Sequence, residues 1–170
     1  MSTVDELEDA RVDLEALLED VLYSVLGEET YPTEDPLGAG QIAASRLAIH
    51  DELADDYLGI EVRIGAVLAR VLASRMLMIG APTEDDLIDA VGELGNIIGG
   101  NVKTMLYHSA RLSLPVAEVI PRAHDPLPDE VSVRGLVFGQ VAEMALHLNP
   151  KIEGLYWPAS TTDQVVETKA

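Results

Sequence analysis

The chain has no cysteine, one phenylalanine, one tryptophan, and 11 Lys+Arg against 30 Asp+Glu. Each shortage closes off a class of function. Without cysteine there is no disulfide, no thiolate nucleophile and no Cys-type zinc site. A formal charge of −19, with no cluster of Lys or Arg, leaves no cationic surface for a nucleic-acid backbone or an anionic membrane. Aromatic residues make up only 4% of the chain, so few side chains are suited to clamping a small molecule. That disfavours a small-molecule-binding regulatory domain.

Long apolar runs are missing as well. The most apolar stretch, Ile64 to Ile79, is interrupted by Arg70 and Arg75 and is too short to span a bilayer. The beginning, Met1 to Asp9, is acidic where a signal peptide is basic and then apolar. A cytoplasmic protein is expected, with neither a membrane nor a nucleic acid as partner. His50, His108, His124 and His147 lie too far apart for a local metal motif, so no metal site is expected.

What is present is enough apolar material for a core, 48% of 170 residues. A single domain is expected over residues 1–158, followed by a disordered Ser/Thr-rich tail at 159–170. Leu7, Val12, Leu14, Leu17, Leu18, Val21, Leu22 and Val25 recur at helical spacing, predicting one amphipathic helix from Val4 to Leu26 that ends near Gly27. Residues 28–40 read as a loop. Arg46 to His50 and Leu58 to Ile64 read as strands joined by a long acidic turn. In the second, Ile60, Val62 and Ile64 share one face and Glu61 and Arg63 the other. A nearly all-apolar helix covers Ala66 to Met78. Thr83-Glu-Asp-Asp86 opens a third helix with a capping-box-like pattern, and this helix runs to about Tyr107. Strands are expected at Arg111 to Pro115, Val131 to Phe138 and Ala142 to Leu148, with a loop over 121–129. The order predicts an α+β domain with long helices packed on a mostly antiparallel sheet.

The third helix carries the chemistry. At about 100° per residue, Leu87, Val91, Leu94, Ile98, Val102 and Met105 fall on one stripe. Asp89, Glu93, Asn96, Gly100 and Lys103 fall on the opposite one, with Glu93 and Asn96 as neighbours. Gly92, Gly95, Gly99 and Gly100 interrupt the helix at a cost of about 1 kcal/mol each relative to alanine. Close packing accounts for the first three, which lie on the flank between the faces. Gly100 lies one turn beyond Asn96 on the polar side, where a missing side chain lets another protein's backbone approach. An amide beside a carboxylate offers no nucleophile, and taken alone it also fits a plain solvated face. What the pair is equipped to do is orient a water and accept a hydrogen bond from a cation.

The run Asp89-Ala-Val-Gly-Glu-Leu-Gly-Asn-Ile-Ile-Gly-Gly-Asn-Val-Lys103 resembles the helix motif of the CheC/CheX/FliY phosphatases: an acid or Ser, then Glu, then Asn, at spacings of four and three. Leu112-Ser-Leu-Pro115 and the order of elements are similar to CheX in particular. The resemblance implies a CheC/CheX-like fold, a homodimer, and as substrate the aspartyl-phosphate of a CheY-like receiver domain. It assigns Glu93 to the receiver's active-site Lys and Asn96 to the attacking water. Asp89, Gly100 and Lys103 would border the partner, with Asp89 either tuning the interface or favouring the helix N-terminus. The protein would need no cofactor of its own, since the Mg2+ belongs to the receiver. The alternative is a non-catalytic module of the same fold that binds a receiver or a switch complex. Two departures from the family pattern stand out. A proline is expected a little over twenty residues after the Asn, but Pro115 and Pro121 stand 19 and 25 residues after Asn96. The Ala66 to Met78 helix has neither Glu nor Asn, so the chain has at most one site, as in CheX.

Overall fold

A computed structural model describes residues 3–148. The expected domain end at 158 and the tail at 159–170 lie outside the described residues. The first helical stretch is two helices rather than one. In α1 (Val4–Asp9), the Thr3 hydroxyl accepts from the Glu6 N–H and the Glu6 carboxylate accepts from the Thr3 N–H, a reciprocal cap. The backbone breaks step at Ala10 and resumes as α2 (Arg11–Leu26). Arg11 pins the joint, donating to Glu8 behind it and to the Ser132 carbonyl on the sheet. Leu7, Leu14, Leu18, Leu22 and Leu26 are buried, whereas Val12, which the periodicity groups with them, is 73% exposed. Gly27 ends α2 in the left-handed region at φ 67°.

The remaining elements are β1 (Tyr31–Pro32), β2 (Ile42–Asp51), β3 (Asp56–Gly65), α3 (Ala66–Met76), α4 (Glu84–Leu106), β4 (Arg111–Leu112), β5 (Val116–Ile120), β6 (Glu130–Val137) and β7 (Gln140–Leu148). Two strands were not anticipated. β1 lies in the expected loop, and β5 follows a strand expected to end at Pro115. The piece from Arg111 to Pro115 is a strand only over its first two residues. Ser113 then bridges to β2, donating its N–H to the Ala48 carbonyl and accepting the Ala48 N–H on its hydroxyl. Pro115 has no N–H to continue the ladder. Pairing resumes at Val116.

The sheet is antiparallel throughout, in the order β1-β6-β7-β3-β2, with β4 and β5 both pairing the outer side of β2. β7 is therefore interior, and the edges lie at β4/β5 and at β1/β6. Phe138 and Gly139 turn β6 into β7 with both φ values positive, at 51° and 69°, the two-residue turn that matches strand twist. The helices cover one face. Ala43, Leu47 and Ile49 of β2, Ile60, Val62 and Ile64 of β3, and Met144 and Leu146 of β7 join Leu87, Val91, Leu94, Ile98 and Val102 of α4 in one core.

The other face is buried and ionic. The Arg63 guanidinium donates to Glu143 at 2.9 Å and Glu130 at 3.1 Å, and it lies 3.4 Å from Glu61. Arg46 pairs with Glu61 at 3.6 Å and also with Glu118, while Arg134 pairs with Glu143. His124, from the 121–129 loop, reaches Glu61 through Nε2 at 2.9 Å and the Asp125 carbonyl through Nδ1 at 2.7 Å. An ionised carboxylate and a carbonyl only accept, so both ring nitrogens donate and the ring is an imidazolium. The bond to Glu61 raises the His124 pKa. Burial alone would raise that of Glu61, but His124, Arg63 and Arg46 outweigh it and hold the carboxyl below its ordinary value. Burial holds His147 neutral, down to about 4.

Candidate functional site

α4 is a helix for local reasons. The Thr83 hydroxyl accepts from the Asp86 N–H, the Asp86 carboxylate accepts from Thr83, and Glu84, Asp85 and Asp86 sit at the positive end of the helix dipole. One side is core, with Leu87, Val91, Leu94, Ile98 and Val102 all at most 4% exposed. Met105, expected on that stripe, is 37% exposed. It lines a separate groove of about 410 Å³ between α2 and α4, with Asp13, Leu17, Asp20, Asn101 and Thr104. By the last turn the core stripe has rotated past the sheet, so the position faces outward.

The opposite stripe lies as the periodicity predicts. Asp89 and Glu93 are exposed, and Asn96, Gly100 and Lys103 are half-buried. Asp89, Glu93 and Asn96 line one open groove of about 440 Å³ with Ile88, Gly92, Pro115 and Ala117. Gly100 and Lys103 are not in its lining. They stand further along the helix, where a Cβ added at Gly100 would meet nothing within 4 Å. Among the described residues, nothing hydrogen-bonds or ion-pairs with the side chains of Glu93 or Asn96. Both are therefore available to an incoming molecule.

Ile88, Pro115 and Ala117 form the apolar wall of the groove, and sequence reasoning missed all three. Pro115 was measured only by its distance along the chain from Asn96. In space the two residues line the same groove. The available signal was the Val116–Ile120 segment, which reads as a strand once its pairing with β2 is known.

The glycines divide by what they touch. A Cβ at Gly92 would lie 3.6 Å from that of Ala117, an ordinary contact. At Gly95 it would overlap the Ser45 hydroxyl and lie 3.0 Å from the Ser45 Cβ, and at Gly99 it would lie 2.7 Å and 2.9 Å from the Leu47 methyls. Close packing thus explains Gly95 and Gly99, but not Gly92.

Among the described residues the groove offers two carboxylates, one amide and an apolar wall, with no Ser, Thr, Lys or His to serve as nucleophile or base. Such a site is equipped to hold a cation and to orient a water against an electrophile supplied by someone else. Among the described residues there is no group of three or more His, Asp or Glu that could hold a metal ion. Nor is any described helix long and apolar enough to cross a membrane.

The family model described as "Chemotaxis phosphatase CheX" matches residues 59–122, a span that contains every residue lining this groove. Among solved structures, the chain is similar to the chemotaxis protein CheX from Vibrio vulnificus, with a TM-score of 0.64 and 17% identity over 80% of this chain and 93% of that one. CheX from Desulfovibrio desulfuricans follows at a TM-score of 0.61 and 16% identity, over 83% and 99%. The CheX–CheY–BeF3–Mg2+ complex from Borrelia burgdorferi matches at 0.59 and 15%, over 81% and 97%. At such identities the likeness establishes the fold. No curated protein sequence matches the chain.

Proposed function

Residues 59–122 match the CheX family model and the fold is that of CheX proteins; from this we propose that the chain is a CheX-like member of the CheC/CheX/FliY family and hydrolyses the aspartyl-phosphate of a CheY-like receiver domain. One observation carries this reading: Glu93 and Asn96 lie side by side on the exposed stripe of α4, in one groove, with no side-chain partner among the described residues. Docked on a receiver, the Glu93 carboxylate accepts from the receiver's active-site Lys. The Asn96 carboxamide oxygen accepts a hydrogen bond from a water and aims that water's lone pair at phosphorus, in line with the aspartyl oxygen. Water attacks, the P–O bond to the Asp breaks, and inorganic phosphate leaves with the receiver carboxylate restored. Mg2+ supplied by the receiver offsets charge on the phosphoryl oxygens. That a CheX of this fold is known in complex with CheY, BeF3 and Mg2+ supports the choice of partner.

Positioning and charge are the whole requirement, so a site without a nucleophile is no obstacle. Asp89, Gly100 and Lys103 border the docked receiver. We further propose that the protein works in the cytoplasm as a homodimer joined along the exposed β4/β5 edge of the sheet. The test is decay of phosphorylated receivers with and without the protein. Acceleration that is lost in Asn96→Ala supports the reading. Binding to a BeF3-loaded receiver without acceleration would replace it with the non-catalytic module.

A further inference from the structure

The turn of α4 that bears Glu93 and Asn96 rests on a shelf of two small residues. Ser45 in β2 and Ala117 in β5 stand directly opposite each other in the antiparallel ladder. Gly92 lies over Ala117 and Gly95 over Ser45. Each glycine is followed at once by a site residue, Glu93 or Asn96. Ala117 is also part of the groove wall, so the strand pair that supports the helix builds the opposite side of the site.

The two contacts differ in stiffness. The Leu47 methyls beneath Gly99 end a flexible side chain and can turn aside. The Ser45 Cβ is fixed to the backbone of a central strand and cannot. The Ser45 hydroxyl is buried and has no hydrogen-bond partner among the described residues, so what it offers α4 is volume rather than a bond. From this we propose that Gly95 and Ser45 are positioning residues for Asn96. The bare Cα of Gly95 lets α4 sit down on Ser45, and that contact sets the height of the Asn96 amide beside the Ala117 wall.

The inference rests on the phosphatase reading for its kinetic consequence but not for its geometric one, and two readouts keep them apart. The first is the side-chain amide resonances of Asn96 in the full chain, assigned by their loss in Asn96→Ala. The second is the steady-state kcat and KM on a receiver kept phosphorylated by a small-molecule phosphodonor. Gly95→Ala is expected to shift the Asn96 amide resonances and to lower kcat at least tenfold with little change in KM. A misplacement of about 1 Å costs rates on that scale. Ser45→Gly, which removes the shelf and introduces no clash, should also shift the resonances, and it carries the test if Gly95→Ala does not fold. The double variant should return both the resonances and kcat toward the parent, because the added methyl fills the space the serine left. Gly99→Ala should leave the Asn96 amide in place. Unshifted Asn96 resonances in Ser45→Gly and in any folded Gly95→Ala would overturn the proposal. So would a double variant no closer to the parent than the single ones. A parent protein inactive on every receiver would sink the phosphatase reading alone, and the resonance series would still decide the contact.

Discussion

Replacing Asn96 by alanine should separate activity from stability, and the structure says by how much. The Asn96 side chain is half-buried on the outer stripe of α4 and makes no hydrogen bond with the described residues. Its removal leaves no orphaned donor or acceptor. Alanine is a better helix former than asparagine by at most about 0.7 kcal/mol, so stability should stay level or rise slightly. For a chain of this size that is a melting temperature unchanged or up by about 1–3 °C. Two positions back, Leu94 is fully buried in the core. Leu94→Ala should cost about 2–5 kcal/mol, a drop of roughly 4–20 °C. Activity should respond in the opposite order. Losing the group that aims the water should slow receiver dephosphorylation at least about tenfold, or about 1.4 kcal/mol of transition-state stabilisation. Binding to a BeF3-loaded receiver should change much less. Thermal unfolding, a phospho-receiver decay assay and a binding titration on the same preparations check all three. Equal destabilisation by the two substitutions would mean α4 is rotated from the orientation described. Full activity in Asn96→Ala would refute the catalytic role.

Glu93→Ala should weaken both binding and turnover, because a charge-assisted bond to the receiver's Lys is present before and during the reaction; the same decay assay and titration check it. Arg63→Ala should cost about 3–5 kcal/mol in urea unfolding, since Glu61, Glu130 and Glu143 would lose a cation they share inside the sheet face. The two perturbed histidines act on opposite sides of their unfolded value of about 6.5. His124, raised by Glu61, contributes stability that is complete below about pH 6.5 and is lost as pH climbs through its folded value. His147, held down to about 4 by burial, contributes above about 6.5 and loses this as pH falls toward 4. Melting temperature against pH should therefore peak near 6.5, and His124→Gln should flatten the alkaline side. Light scattering at micromolar concentration should give twice the 18.3 kDa chain mass, and a clean monomer would count against the β4/β5 interface.

Much of α4 was legible in the sequence, because helical structure is local. The Thr83 cap, the 3.6-residue recurrence of Leu87, Val91, Leu94 and Ile98, and the polar stripe through Asp89, Glu93 and Asn96 all follow from residues within a few turns of one another. The helix ending at Gly27 and the alternation of Ile60, Val62 and Ile64 are local in the same sense. What the tertiary structure alone decided is non-local. Pro115 and Ala117 came to line the same groove as Asn96 because β5 pairs with β2, more than seventy residues earlier along the chain. Glu61 and Arg63, an ordinary polar alternation in sequence, became the centre of a buried ion network because β2 brings a partner across its hairpin and β7 and the His124 loop bring theirs from more than sixty residues away. Helical and strand periods show which face of an element is which. They do not show what another element will lay against it, because a contact across the sheet depends on register, and register is set only when distant strands meet.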